Sequence, residues 1–213
     1  SVPKSTLNDI YKRVREFPWN DAQNMSGWEY GTNLNYLKSL SKYWIKKYNW
    51  KKFENKINSF KNYKTRVEDI NLHFIFEKSK NPNSRPLLLL HGWPGSISEF
   101  FNIIPRLAHP EKYGGKIEDG FDVIVPSLPG FGFSSQIKKA LGPRKIGKIL
   151  NKFMVKNLGY KNYFVQGGDW GATIAGWIGL DSSKNCKGIH INCLPLRHPK
   201  GPKNSKEKKW EKK

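Results

Sequence analysis

Four short apolar runs constrain this chain more than any other feature. They are PLLLL (Pro86–Leu90), FDVIV (Phe121–Val125), YFVQ (Tyr163–Gln166) and GIHI (Gly188–Ile191). Each is too short for a typical helix, and such runs suit strands covered on both faces. INLHFIFE (Ile70–Glu77) alternates instead, which predicts a half-exposed strand. Between the runs lie Ser96–Leu107, Pro143–Leu158 and Gly171–Leu180, each able to form a helix. Strand alternating with helix predicts the α/β class: a mostly parallel sheet with helices on both faces.

Upstream the pattern is helical and aromatic. Leu34, Leu37, Leu40, Trp44, Ile45 and Tyr48 fall on one expected helix face, and Lys51–Phe60 continues as a second short helix. Trp19, Trp28, Tyr30, Tyr36, Tyr43, Trp44 and Trp50 are expected to cover a neighbouring surface rather than to box a cofactor. From Arg197 the chain turns to Pro, Gly and Lys, and KNSKEKKWEKK is expected to be a solvated terminus. The expected division is a helical region at 1–65, an α/β core at 66–195 and a basic tail at 196–213.

The 213 residues are enough for one core with a small appendage, and no apolar run is long enough to span a membrane. Net charge is +21. A charge of that size raises the question of a nucleic-acid or anionic-membrane partner. The lysines are spread along the chain, Asn and Ile are abundant beside them, and no nucleic-acid motif occurs. The charge is therefore read as compositional, with no nucleic-acid partner expected. The two cysteines, Cys186 and Cys193, form neither a disulfide framework nor a metal signature, and no metal site is expected.

In open parallel sheets, ligands bind beyond the carboxyl ends of the strands. Three of the runs end in Gly- and Pro-rich turns: HGWPGS (His91–Ser96), PSLPGFGFS (Pro126–Ser134) and GGDWG (Gly167–Gly171). The last has the form small-x-nucleophile-x-small, the spacing of a tight strand-to-helix elbow that exposes its central side chain. That residue is Asp169, flanked by Gly167, Gly168 and Gly171. A carboxylate there can attack carbon and form an ester. The plainer alternative is an aspartate that only caps the following helix. In HGWPGS, a plain loop accounts for Gly and Ser but not for His-Gly-Trp-Pro, and Ser96 can cap the next helix.

Taken together, GWEYGTNLNYLKSLSKYWIKKYNWKKFENKINSF, LLLLHGWPGSISEFFNIIPRL, FDVIVPSLPGFGFS and LGYKNYFVQGGDWGA resemble the microsomal-type epoxide hydrolases of the α/β-hydrolase superfamily. The resemblance runs from Val2 to about Asn192. It implies that Asp169 opens an epoxide by attacking a ring carbon, that lid tyrosines protonate the ring oxygen, and that a histidine paired with a carboxylate activates water to release a diol. The backbone N–H groups of Trp93 and Trp170 would form the oxyanion hole, with His91, Gly92 and Pro94 shaping its loop, Pro94 through a cis bond if the turn requires it. The substrate expected is a small apolar epoxide, and no organic cofactor or metal is implied.

The family's acid, histidine and lid tyrosines are not found in this chain, which therefore reads as roughly the first half of such an enzyme, inactive alone. His73 falls on the first strand, His91 in the oxyanion motif, His109 after a helix and His198 in the tail; His190 is expected to pack within its strand. Two alternatives stay open: a haloalkane dehalogenase, which also uses an elbow aspartate followed by Trp, and a non-catalytic binding protein on the same fold. Membrane contact is left open, with a cytoplasmic place implied in a bacterium and membrane association in a eukaryote. The oligomeric state is not legible.

Overall fold

The computed structural model describes residues 1–19, 27–29, 31–193 and 201–211. They fall into two compact units, Ser1–Ser59 and Phe60–Lys213.

The first unit contains three helices: α1 (Lys4–Arg15), α2 (Leu34–Lys47) and α3 (Trp50–Asn58). Asn33 and Asn49 cap α2 and α3 by accepting the amides of Tyr36 at 3.0 Å and Lys52 at 3.2 Å. The buried carboxylate of Glu54 accepts from the Val2 amide at 2.7 Å and from Lys51 at 2.6 Å. The orientation of α2 departs from the expected apolar face. Leu34 is buried, and Lys38, Ser41 and Ile45 are half-buried on the same stripe. Leu37, Leu40, Tyr43, Trp44 and Tyr48 are exposed. Both stripes have helical spacing, and the inward one is the less apolar. Tyr30 lies outside the described residues.

The second unit is built on a six-stranded sheet of order β1-β2-β4-β3-β5-β6. The strands are β1 (Asn62–Val67), β2 (Ile70–Glu77), β3 (Arg85–Leu90), β4 (Phe121–Pro126), β5 (Tyr163–Gly167) and β6 (Cys186–Ile191). β1–β2 and β2–β4 pair antiparallel; β4–β3, β3–β5 and β5–β6 pair parallel. The five expected strands are all present, and β1 is an addition. Its sequence NYKTRV is almost wholly exposed and carries no apolar face to announce it.

Helices α5 (Pro143–Lys152) and α6 (Trp170–Asp181) belong to the face of the sheet that carries Leu72, Phe74, Leu88, Leu90, Ile124 and Val165. Gly147 lets the two helices approach: a Cβ there would lie 3.3 Å from the Ile178 side chain. Arg144 ties them with two bonds to Asp181, 2.7 and 2.8 Å, and stacks 4.5 Å over the Trp177 ring. The expected helix Pro143–Leu158 ends as a π-turn at Phe153–Asn157.

The expected helix Ser96–Leu107 is broken into a 3-10 turn, Ile97–Phe100, and the short α4 (Ile104–Ala108). Pro105 explains the break, since it sits in the first turn of α4 and has no N–H to donate back to the preceding turn, so one continuous helix cannot run through it. Beside α4 the second sheet face is open. Leu87, Leu89, Phe164, Ile103, Leu107 and Ile189 line an apolar groove of about 700 Å³. In the tail, Ser205–Glu211 forms the short helix α7, and its residues Ser205–Trp210 are exposed, as a solvated end would be. Asn204 and Glu207 cap it reciprocally: Glu207 N–H donates to Asn204 Oδ1 at 3.0 Å, Asn204 Nδ2 donates to Glu207 Oε1 at 2.9 Å, and Glu207 Oε2 also accepts from the Lys203 amide at 2.6 Å.

Candidate active site

β3 and β5 are parallel neighbours, so the loops that follow them emerge at the same edge of the sheet. At that edge Asp169 joins β5 to α6 with φ 51° and ψ −123°. A non-glycine residue at positive φ is uncommon and strained, and such residues gather at functional sites. The elbow is also crowded. A Cβ on Gly167 would collide with the main chain of Gly171, and one on Gly171 with the Leu90 carbonyl. A Cβ on Gly168 would lie 2.5 Å from the Asn192 side chain, which overhangs the turn from the end of β6.

The capping alternative for Asp169 does not hold, because its side chain makes no cap bond. Its main-chain carbonyl accepts the amides of Ala172 at 3.0 Å and Thr173 at 3.3 Å. The carboxylate is left to point elsewhere, and Oδ1 accepts the Trp93 N–H at 2.8 Å. Gly92 permits this approach, since a side chain there would strike the Asp169 carboxylate. The Trp93–Pro94 peptide is cis. Trp170 opens α6, where the first amides have no intrahelical carbonyl to reach. The Trp93 and Trp170 residues are 68% and 48% exposed, so both stand at an open surface.

His91 is buried and structural. Its Nε2 accepts the Leu128 N–H at 3.1 Å and its Nδ1 lies 3.0 Å from the Gly92 carbonyl, which makes Nδ1–H the donor there. It thus ties the HGWPGS turn to the PSLPGFGFS turn as a neutral ring, and burial pushes its pKa down. His73 works similarly, with Nδ1 2.9 Å from Ser127 Oγ and Nε2 3.0 Å from Asn62 Oδ1. Burial brings its pKa to about 4. Ser96 caps the 3-10 turn by accepting the Ser98 amide at 3.3 Å, as expected.

The remaining histidines are not gathered at Asp169. His109 pairs with Glu77 at 3.1 Å, and Glu77 lies in the strand row of Val123 and Leu87, three residues before the Leu90 end of β3. His190 corrects an expectation: it is exposed on β6 rather than packed. His198 lies outside the described residues. Among the described residues, no group of three or more His, Cys, Asp or Glu side chains is placed to hold a metal ion. Among them, no helix is long and apolar enough to cross a membrane.

Glu99, not anticipated from the sequence, sits on the 3-10 turn, and its carboxylate occupies the space a side chain on Gly95 would need. The Ser-x-x-Glu spacing from Ser96 was the available signal.

Residues 1–100 match the family described as epoxide hydrolase N terminus, and residues 85–211 match the alpha/beta hydrolase fold family. Epoxide hydrolase 1 of Oryctolagus cuniculus is 38% identical over 90% of this chain and 43% of its own length. The solved epoxide hydrolase of Aspergillus niger superposes with a TM-score of 0.82 at 30% identity, covering 98% of this chain and 56% of that one. The juvenile hormone epoxide hydrolase of Bombyx mori gives 0.81 at 32%, covering 94% and 47%. The chain spans about half the length, or less, of the curated relatives it matches.

Proposed function

We propose that this chain, which belongs to the α/β-hydrolase fold family and is related to its epoxide hydrolases, carries the nucleophile of an epoxide hydrolase. The reaction is an epoxide plus water to a vicinal diol, through an ester on Asp169. The substrate is a small apolar epoxide. The helical region and the α/β core serve as the two working parts, with the expected boundary at 65/66 moved to Ser59/Phe60 because β1 (Asn62–Val67) belongs to the sheet.

The observation that carries the reading is the 2.8 Å bond from the Trp93 amide to Asp169 Oδ1. It divides the two carboxylate oxygens by role. Oδ2 is the attacking atom: it forms a bond to a ring carbon as that carbon's bond to the ring oxygen breaks, and the released alkoxide takes a proton from an acid. Oδ1 then becomes the ester carbonyl oxygen, still on the Trp93 N–H. When water attacks the ester carbon, negative charge develops on Oδ1, where a fixed amide stabilises it most. The Trp170 N–H is assigned as the second donor. A base takes one proton from the water as it attacks; on collapse the diol oxygen leaves, takes up the remaining proton of the former water, and the carboxylate is restored.

The test is mass spectrometry of the chain after incubation with styrene oxide. The adduct mass is expected on the peptide containing Asp169 and is expected to be missing in Asp169→Asn. An adduct on another acidic residue, or none, overturns the assignment. A chloroalkane serves as the parallel substrate, and chloride release in place of epoxide opening would select the dehalogenase alternative.

A further inference from the structure

Two carboxylates lie against one turn. Asp169 abuts Gly92 and Glu99 abuts Gly95, and in each case a Cβ on the glycine would collide with the acid. The same Cβ on Gly95 would lie 3.4 Å from the Gly92 carbonyl, so the Glu99 carboxylate and that carbonyl face the same small space inside the turn. Glu99 is anchored at its own backbone, its N–H donating to the Ser96 carbonyl at 3.1 Å.

We propose, resting on the reading of Asp169 as nucleophile, that Glu99 is a positioning residue whose carboxylate fills the inside of the Gly92–Ser96 turn and so aims the Trp93 amide at Asp169 Oδ1. The residue pair Ser96 and Glu99 has the spacing of a capping box, in which the acid reaches back to amides that precede the helix. Glu99 as a residue is exposed, but partial burial of its carboxyl raises its pKa; the Ser96 and Gly92 amides act in the opposite sense, and the Asp169 charge adds to the rise. The two amides that favour its charge belong to the turn itself, one of them to the residue before Trp93. Glu99 also lines the groove beside α4, and the role assigned to its carboxylate is on the geometry of the turn it abuts.

Hydrogen exchange and alkylation test this separately. In the peptide covering residues 91–96, Pro94 has no amide, so exchange there reports chiefly Gly92, Trp93, Gly95 and Ser96. Glu99→Ala is expected to speed exchange in this peptide about tenfold or more, as loss of a charge-assisted hydrogen bond predicts. Exchange in β3 and α6 is expected to stay unchanged, and alkylation of Asp169 by styrene oxide to slow by a similar factor. Glu99→Gln keeps an acceptor oxygen and is expected to stay within about threefold of wild type in both readouts.

Unchanged exchange in the turn of Glu99→Ala overturns the proposal. So does faster exchange with unaltered alkylation. Loss of protection across β3 in either variant makes Glu99 a general stability element and also overturns it. If wild type forms no adduct, the nucleophile reading fails while the exchange arm still decides whether Glu99 orders the turn.

Discussion

The amide of Trp93 and the carboxylate of Asp169 meet at 2.8 Å across 76 positions of sequence. That bond joins the turn after β3 to the elbow after β5, and it exists because β3 and β5 are parallel neighbours that deliver their ends to one edge. It also fixes which carboxylate oxygen is free.

Asp169→Asn is expected to abolish adduct formation while leaving the fold intact. The amide keeps nearly the same size, and its own Oδ1 can still accept the Trp93 N–H. Thermal unfolding within about 1 kcal/mol of wild type, with no epoxide adduct, is the expected pair of results. A variant that still alkylates at this peptide would exclude Asp169 as the nucleophile.

Gly171→Val is expected to destabilise by about 1–3 kcal/mol or more through overpacking. The added Cβ would meet the Leu90 carbonyl, which is main chain and cannot rotate away. Even Gly171→Ala should lower the urea midpoint. An unchanged midpoint would contradict the crowded elbow.

Stability should fall on acidification through two buried histidines. The unfolded pKa is near 6.5; burial brings folded His73 to about 4 and lowers His91 as well. Below 6.5 the unfolded chain binds more protons than the folded one, so the full stability present above that pH is lost progressively. For His73 the window runs from about 6.5 down to about 4. The slope is at most about 1.4 kcal/mol per pH unit for each group. Urea midpoints measured from pH 8 to 4 check it, and a flat profile would show that neither ring is held neutral.

How much of this was legible depends on what each segment packs against. The strands at Pro86–Leu90, Phe121–Val125 and Tyr163–Gln166 announced themselves because both their faces are apolar: one is covered by α5 and α6, and the other lines the open groove beside α4. β1 stayed hidden because NYKTRV is held by pairing with β2, and backbone pairing leaves little trace in side chains. The break before Pro105 was written in the sequence; the inward stripe of α2 was not, since Lys38 and Ser41 do not look like a buried face. At the site, GGDWG and HGWPGS were legible because close approach excludes side chains. The overhang of Asn192 and the exposure of His190 depend on elements distant in sequence.

Hydrolysis of an aspartyl ester needs a base to take the proton from water, and a well-placed base contributes about 10²–10⁴-fold. Among the described residues, His91 and His73 are committed to structural bonds through both ring nitrogens. His109 is bound to Glu77 lower on the sheet. His190 is exposed, and among the described residues its ring has no hydrogen bond to orient it. Without an orienting partner its ring has no fixed approach to the ester carbon. Purified chain is therefore expected to alkylate once at Asp169 and to stop, giving at most one equivalent of consumed epoxide and little diol. The measurement is diol release against adduct mass over time. Sustained release of many equivalents, lost in Asp169→Asn, would mean that a histidine assigned here to structure works as the base, and His190→Gln would then identify or acquit the most exposed of them.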